Sequence, residues 1–395
     1  GAKLCTASTP RAWNHLGKVA SDVVMASAGS AKVDDAQNKQ RATTSVSSPA
    51  SPSVGACSGR EILHSSSRKR FDSRRHSIVL LAVAVLSYGA WSYYAARVVR
   101  RPRKWGSGRL TLLVTAALGA CARWLGVTAY NEVLAKTDHV QSLYGRQLIA
   151  CWHPHGLCVV TPLFFHSEAP RNYHTLIYGY FTAVAAAVFY VPVLREILML
   201  VNARTADNTV IDSILAAGKC VFLCPGGIHE QLETDPAQER AFFPPNLGFV
   251  RLAIKHGVPL VPTYNFGENQ LYDVPEWSRA FSRWLKRTFN VGIPFGVGRW
   301  GLPYVPKKQH ITIQVGQAIE VGPAQASPSE AFVREIFRQY CVELLRVFNK
   351  YKDAALPHHV AARGLQLIWR AHESEDLTAQ AENAGDLQSY QQSRL

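Results

Sequence analysis

The stretch Leu-Ile-Ala-Cys-Trp-His-Pro-His-Gly, residues 148–156, decides the fold, because an apolar run passes directly into two histidines. Residues 148–152 have the length and composition of a buried strand, and we expect a helix from about Gly156. Pro154 has no amide proton and Gly156 permits an unusual turn, so both histidines lie where the strand ends. Histidine titrates near neutral pH and suits general-base chemistry. The stretch therefore predicts a reactive site at a strand end; a pair of structural histidines is the alternative.

The rest of the chain from about residue 140 alternates between strand and helix patterns. Because proline cannot donate to a ladder, we predict that Pro262 lies in an edge strand or at a bulge. Ser327 and Glu330 form a capping box, which predicts the start of the last helix. Such alternation predicts the α/β class, a mostly parallel sheet flanked by helices, with ligands bound beyond the carboxyl ends of its strands. We predict these elements in chain order: helices at 191–201 and 208–217, a strand at 220–224, a helix at 246–256, and strands at 259–264 and 310–315.

Two apolar runs precede this domain. Residues 77–96 carry no charge and residues 110–130 carry only Arg123. Each run is long enough, as a helix, to cross the hydrocarbon core of a bilayer. Because the connection at 97–109 is short, we predict a membrane-embedded helical hairpin over residues 77–130 with both ends on one side. A buried core helix is the alternative for the second run.

The charge of the chain is concentrated beside these apolar runs. Of the net charge of +15, residues 1–76 supply 12 Lys and Arg against 5 Asp and Glu, and residues 97–109 supply 6 more with no acid. A basic region beside an apolar segment favours a membrane surface over nucleic acid. We predict that residues 1–76 are a disordered tail, with a transit peptide as the alternative, and that 357–395 form a polar C-terminal tail. Residues 131–356 are then the α/β domain.

A second unusual peptide, Pro-Gly-Gly-Ile-His-Glu at 225–230, also follows an apolar strand. Gly226 and Gly227 allow a sharp turn that presents backbone amides to a ligand. Glu230 could orient a histidine or hold a substrate hydroxyl. A glycine-rich turn with a solvated acid is the alternative.

A metal site is a competing hypothesis. The spacing contains no Cys-x-x-Cys pair, and Pro154 restricts the directions of both histidines, so we predict no metal. The sequence also lacks Gly-x-Ser-x-Gly, a P-loop and Gly-x-Gly-x-x-Gly, which argues against a serine hydrolase and a nucleotide-binding domain. The residues that a zinc site would use are Cys151, His153, His155, Cys158, Cys220, Cys224 and His229.

The peptide His153-Pro-His-Gly156 resembles the signature of the type-2 diacylglycerol acyltransferase family, which includes monoacylglycerol and wax-alcohol acyltransferases. The likeness covers roughly residues 75–355, and Leu247 departs from it where the family usually has a basic residue. The resemblance implies a glycerolipid-acyltransferase-like fold. Further segments that are similar to the family's motifs, in order and spacing, are 193–199, 225–230, 248–253, 257–262, 266–272 and 311–316.

The resemblance implies transfer of a fatty acyl group from acyl-CoA to the free hydroxyl of diacylglycerol, giving triacylglycerol. His153 or His155 would be the general base, with no covalent acyl-enzyme, and Glu230 would orient a histidine or bind the acceptor. Acyl-CoA is a co-substrate, and we expect no other cofactor. Gly156, Gly226, Gly227, Arg251 and Glu268 are the candidate substrate-binding residues, and Lys255, Lys307 and Lys308 join Arg251 as candidate cations for coenzyme A.

The acceptor and the location follow from the same resemblance. No arginine lies near 225–230, where related enzymes hold a phosphate, so we expect a neutral acceptor. Monoacylglycerol and long-chain alcohol, giving wax esters, are the alternatives, and a non-enzymatic lipid-droplet or membrane scaffold is the alternative from another class. We expect a multi-pass protein of the endoplasmic reticulum membrane or lipid droplets, with its catalytic domain facing the cytosol; a homo-oligomer is left open.

Overall fold

The computed structural model describes residues 59–103, 105–132, 137–158, 180–289 and 292–370, with side chains from residue 77. Of the tail predicted to be disordered, residues 1–58 lie outside the described residues. Residues 59–76, the remainder of that predicted tail, belong to a helix that begins at Gly59. The predicted helix after Gly156 falls on residues 159–179, which also lie outside the described residues.

The described elements alternate between helix and strand. The helices are α1 (Gly59–Val98), α2 (Gly108–Trp124), α3 (Asp138–Gln141), α4 (Leu194–Leu200), α5 (Asn208–Ala216), α6 (Gly227–Leu232), α7 (Gly248–His256), α8 (Glu276–Phe289), α9 (Glu330–Ala355) and α10 (His358–Ala361). The strands are β1 (Val127–Asn131), β2 (Ile149–His153), β3 (Tyr180–Val184), β4 (Ala203–Thr205), β5 (Cys220–Leu223), β6 (Glu239–Phe243), β7 (Leu260–Phe266), β8 (Gln309–Val315) and β9 (Leu365–Trp369).

Seven strands form one sheet in the order β1-β8-β7-β2-β5-β3-β4, and all pairs are parallel except β7 with β8. This confirms the predicted α/β class with a mostly parallel sheet. The strands that carry the two unusual peptides, β2 and β5, are neighbours. Because both run in the same direction, their carboxyl ends, and the peptides that follow them, lie at the same edge.

Of the two positions predicted for Pro262, edge or bulged, the edge is wrong and the bulge is present. Leu260 pairs with Ile319 and Thr263 with Val315, so the segment after β8 carries one extra residue opposite Pro262. β7 is central, paired with β2 on one side and β8 on the other. Proline is tolerated because the ladder with β8 runs only from Thr263 onward, and the Pro262 carbonyl accepts from the Gly316 amide at 2.8 Å. A Cβ at Gly316 would lie 3.0 Å from the Pro262 ring, so glycine provides the space there.

The C-terminal part of the domain also differs from the prediction. α9 begins two residues later than expected: its N-cap is Ser329, whose side chain accepts from the Phe332 amide at 3.3 Å, and not Ser327. The polar tail predicted from residue 357 contains α10 and β9. β9 pairs in parallel with β6 in a separate two-stranded sheet, and its buried Leu365, Leu367 and Trp369 explain why it is ordered.

The predicted membrane hairpin is not confirmed. Within the described residues one helix, Ser77–Val98, is long and apolar enough to cross a membrane. The prediction that a second span continues to Tyr130 is wrong, because α2 ends at Trp124 and β1 pairs with β8. Seventeen residues of helix extend about 25 Å, less than the hydrocarbon thickness.

α2 has an unusual distribution of side chains. Its buried residues are small or polar, Thr111, Thr115, Gly119 and Ala122, whereas Leu110, Leu113 and Trp124 are exposed. The described chain divides into two compact units between Ser87 and Tyr88, and α2 belongs to the second, the α/β unit. In that unit α9 packs on β7 through Phe348, which contacts the rings of Tyr264 and Phe266.

Candidate active site

His153 is the last residue of β2, and its imidazole is fully buried. Nε2 lies 2.9 Å from the hydroxyl of Tyr340 on α9. Nδ1 lies 3.7 Å from Oε2 of Glu230 on α6. A substrate cannot reach this ring in the conformation described, because a carboxylate faces one nitrogen and a phenol the other.

Glu230 connects the two unusual peptides. Its Oε1 accepts from the His155 amide at 2.7 Å, and its Oε2 accepts from the Phe242 amide on β6 at 3.2 Å. The carboxylate is only 2% exposed. A buried carboxylate needs such donors to offset the water it loses. The sequence-based prediction of a solvated acid is therefore excluded, and Glu230 lies beside both histidines.

His155 is half-buried, unlike His153. Its Nδ1 lies 3.1 Å from the Gly156 carbonyl oxygen, which can only accept, so we place the imidazole proton on Nδ1. Nε2 then carries the lone pair. Burial lowers the pKa of His155 from its ordinary value of 6.5, and the Glu230 carboxylate opposes this by raising it. The ring is thus uncharged at neutral pH and can accept a proton.

Glycine is required at two points where the peptides approach acidic side chains. Gly156 has φ +64°, and a Cβ there would lie 2.8 Å from Cγ of Glu268, which is 1% exposed. A Cβ at Gly226 would lie within 2.0 Å of Oε2 of Glu230. The structure therefore brings together six of the predicted site residues: His153, His155, Gly156, Gly226, Glu230 and Glu268.

The other predicted substrate-binding residues, Gly227 and Arg251, make hydrogen bonds or ion pairs with other parts of the protein. The Gly227 amide donates to the Cys224 carbonyl at 3.1 Å, closing the turn. Arg251 donates to the Asn246 carbonyl and pairs with Glu330 at 2.5 Å. Two further candidate cations for coenzyme A are also paired, Lys255 with Asp212 and Lys307 with Asp273.

A second buried carboxylate, Glu239 on β6, supports the site. It accepts from the Tyr264 hydroxyl at 2.7 Å and from the side-chain amides of Asn269 and Gln270, each at 2.8 Å. Burial raises the pKa of Glu239. These bonds attach the turn after β7, which carries Glu268, to β6.

The thiols near the site are weak candidates for nucleophiles or metal ligands. Burial raises the pKa of Cys151, and burial together with the Glu230 and Glu268 carboxylates raises that of Cys224. Thiols react and bind metals as thiolates, which these surroundings disfavour. Within the described ranges, no three His, Cys, Asp or Glu side chains are grouped so as to hold a metal ion.

A narrow apolar pocket with a cavity volume of about 60 Å³ lies along one face of the sheet. Trp152, directly before His153, forms part of its wall. The other lining residues are almost all apolar and include Val140, Leu143, Leu148, Ala150, Tyr180, Phe222, Val261, Ile313 and Val315.

Sequence reasoning missed Tyr340 and Glu239. Tyr340 lies 187 residues from His153 in the chain, within a helix whose pattern indicates only a core-facing side. Glu239 stands in a polar stretch that gives no sign of burial.

Comparison with known proteins gives consistent matches. The model of the diacylglycerol acyltransferase family matches residues 126–361, more than half of the chain. Human 2-acylglycerol O-acyltransferase 3 is 31% identical, over 59% of this chain and 72% of that protein. Diacylglycerol O-acyltransferase 1 of Schizosaccharomyces pombe is 30% identical, over 58% and 69% respectively. Diacylglycerol O-acyltransferase 2 of Xenopus tropicalis is 33% identical, over 55% and 64%.

Among solved structures, the 1-acyl-sn-glycerophosphate acyltransferase of Thermotoga maritima covers 65% of this chain and 89% of its own, at 16% identity and a TM-score of 0.34. The family model and the relatives show that the protein is an acyltransferase enzyme that acts on glycerolipids. The chain belongs to the diacylglycerol acyltransferase family.

Proposed function

We propose that the enzyme transfers a fatty acyl group from acyl-CoA to the free hydroxyl of diacylglycerol, with His155 as the general base. The observation that carries this proposal is the position of His155: half-buried, uncharged at neutral pH and held by Glu230 through its backbone. An alcohol is a weak nucleophile until a base accepts its proton, a step worth about 10²–10⁴-fold. Of the two histidines, only His155 is partly exposed, whereas His153 is fully buried.

The reaction balances without a covalent enzyme intermediate. Nε2 of His155 accepts the proton of the acceptor hydroxyl as its oxygen bonds to the thioester carbonyl carbon. The carbon–sulfur bond then breaks, and the imidazolium returns the proton to the departing coenzyme A thiolate. The oxyanion needs preorganised donors. Because the Gly227 amide is already used, the Gly226 amide is the candidate donor in that turn.

His153 acts through Glu230 in this proposal. Its Nδ1 lies 3.7 Å from the Glu230 carboxylate, and that carboxylate accepts from the His155 amide. No arginine contacts Glu230 among the described residues, which supports a neutral acceptor over a phosphorylated one.

A membrane location supports a lipid acceptor. Ser77–Val98 can cross a bilayer, and α2 exposes its apolar residues. We propose that the enzyme is held in the endoplasmic reticulum membrane with its α/β unit in the cytosol, where dissolved diacylglycerol reaches the site.

The test is transfer from labelled acyl-CoA in purified membranes, supplied in parallel with diacylglycerol, monoacylglycerol and a fatty alcohol. His153→Ala and His155→Ala should each abolish transfer while the protein stays in the membrane fraction. His359→Ala, an exposed histidine on α10, is the matched control and should keep wild-type activity.

The outcomes separate the alternatives. Product from diacylglycerol establishes the proposed acceptor, and product from the alcohol alone indicates wax ester synthesis with the same mechanism. Normal activity in both histidine variants would overturn the mechanism. Absence of transfer to every acceptor, with folded and membrane-bound protein, would favour the scaffold.

A further inference from the structure

A second, strongly basic cavity lies between α6, β6, β9 and α8. We call it the basic cleft, and its cavity volume is about 560 Å³. Glu233 is the one acid among the described residues that line it. The cations in its lining are Arg240, Arg283, Lys286, Arg287 and Arg370.

The basic cleft is not neutralised by its internal ion pairs. Arg283 contacts Glu233 at 3.4 Å and Glu276 at 2.9 Å, and Arg240 lies 3.9 Å from Asp235. With Glu276 and Asp235 counted beside Glu233, three acids stand against five lining cations, which leaves an excess of positive charge. A cluster of cations that is partly enclosed by the protein attracts an anion strongly. The cleft has the charge and size for a ligand with several phosphates.

The basic cleft shares a wall with the candidate active site. His229 lines the cleft and directly precedes Glu230 in α6. Phe242 also lines it, and its amide donates to Glu230. A ligand in the cleft therefore lies against the same elements that hold the carboxylate.

We propose that the basic cleft binds the phosphate groups of coenzyme A in the acyl donor. This rests on the proposed function, since it presumes an acyl-CoA donor. In this proposal the cleft takes the role that the sequence analysis gave to surface cations. Three of those cations, Arg251, Lys255 and Lys307, are paired with acids. Phosphates of an anionic lipid headgroup share this chemistry and must be distinguished by experiment.

The experiment compares three donors with the full-length enzyme in membranes: acyl-CoA, its 3′-dephospho form and acyl-pantetheine. The double variant Lys286→Glu/Arg287→Glu should raise KM for acyl-CoA about tenfold or more, as expected for losing charge-assisted contacts. Its KM for acyl-pantetheine, which lacks the nucleotide, should stay as in the wild type. Lys350→Glu/Lys352→Glu on α9, outside the cleft lining, is the matched control.

Three readouts keep this test decisive. Binding of coenzyme A itself to the solubilised protein should weaken in the cleft variant. This expectation does not depend on acyl transfer. Weakened binding without any transfer would overturn the proposed function and leave the cleft proposal standing. Unchanged KM and unchanged coenzyme A binding overturn the cleft. The cleft proposal is also overturned if the cleft variant changes only the dependence of activity on phosphatidylserine content and leaves KM for acyl-CoA unchanged. That result would assign the cleft to lipid headgroups. If the charge reversal prevents folding, the same measurements are made on the double variant Lys286→Ala/Arg287→Ala.

An independent observation concerns the outer side of α8. Trp277, Phe281 and Trp284 are 62%, 51% and 52% exposed, while Ser278 and Ser282 are buried. The two serines donate to the carbonyls of Phe295 and Ile293, so the polar side of the helix is satisfied inside the protein. This reverses the arrangement of an ordinary surface helix.

The exposed rings continue beyond the helix. Trp277 packs on Phe295, and Phe295 packs on the exposed Tyr304. Trp300, also exposed, contacts Trp124 at the end of α2, whose apolar side is itself exposed. α8 also carries basic residues beside its exposed aromatic rings, as do helices that lie in a membrane interface.

We infer that the aromatic side of α8 lies in the membrane interface, continuous with α2. The test places a photo-crosslinking benzoylphenylalanine at Phe281 in the full chain, reconstituted in phosphatidylcholine vesicles, with Lys350 as the control position. Lipid adducts at 281 and none at 350 are expected. Absence of lipid adducts at 281, or crosslinks to a second copy of the chain in their place, would overturn the inference.

Discussion

The two oxygens of Glu230 accept hydrogen bonds from different segments of the chain, the His155 amide and the Phe242 amide, and Oε2 also faces Nδ1 of His153. At the scale of the residue, this carboxylate therefore has two roles. It fixes the backbone of the candidate base, and its negative charge acts on the imidazole. The two roles can be separated by replacing the charge while keeping the shape.

Glu230→Gln should move the acid limb of the kcat–pH profile to lower pH. The carboxylate raises the pKa of His155, so its removal lowers that pKa, and the base then loses its proton at lower pH. We also expect kcat to fall by about 10²-fold, because the amide holds the His155 backbone less well. The measurement is kcat between pH 5 and pH 8, taken as an approximate working range. A fall in kcat with an unmoved acid limb would show that Glu230 acts through position alone.

Tyr340→Phe should lower kcat and leave KM for both substrates unchanged. The hydroxyl faces Nε2 of the buried His153, and its loss leaves that nitrogen without its partner. We expect the free energy of unfolding to fall by about 1–3 kcal/mol. Tyr351→Phe, on the same helix, is the control. Equal kcat for both variants would contradict a positioning role for Tyr340.

At the scale of the element, the start of α6 depends on close contact between Gly226 and Glu230. A side chain at Gly226 would overlap the carboxylate that its own helix carries, and it would also meet the Phe242 carbonyl at 2.9 Å. The helix can therefore present Glu230 to the histidines only with glycine at this position.

Gly226→Ala should abolish transfer, because the added methyl displaces Glu230. Gly218→Ala is the matched control: its φ of +69° strains an alanine, yet no atom lies within 4 Å of the new Cβ. We expect it to lose about 1 kcal/mol of stability and to keep kcat. Transfer assays and thermal unfolding of both variants check this. Full activity of Gly226→Ala would mean that Glu230 is not needed where the structure places it.

At the scale of the whole molecule, the site depends on a strand near the end of the chain. β9 pairs with β6, and β6 supplies both the Phe242 amide and the Glu239 carboxylate. The two strands are more than 120 residues apart in sequence, as the Arg240–Gln366 bond shows. The C-terminal segment thus holds in place the strand that carries two contacts of the candidate site, and its Ile368 and Arg370 line the basic cleft.

A chain that ends at residue 370 should keep transfer activity, and one that ends at residue 363 should lose it. The shorter chain loses the buried Leu365, Leu367 and Trp369, and each such side chain contributes about 1.5–3 kcal/mol. Limited proteolysis and transfer assays of both chains measure the effect. Equal activity of the two truncations would show that β9 is dispensable.

Much of the fold followed from local pattern. The strand before His153, the strand at Cys220 and the helix that stops at Gly257 depend on apolar runs, glycine and proline, which act within a few residues. Errors arose where tertiary pairing overrides such rules. Pro262 lies in a central strand because the ladder with β8 starts one residue later, and residues 127–131 form a strand because β8 is beside them.

The sequence by itself determined the α/β class and the identity of the reactive peptides, because strand composition and turn residues are local properties. It also placed both peptides at strand ends. Only the tertiary structure decided which histidine is buried. That distinction depends on Glu230 and on Tyr340, which is 187 residues from His153 in the chain. It likewise brought five cations from three elements into the basic cleft, because only packing brings together charges that are scattered along the chain.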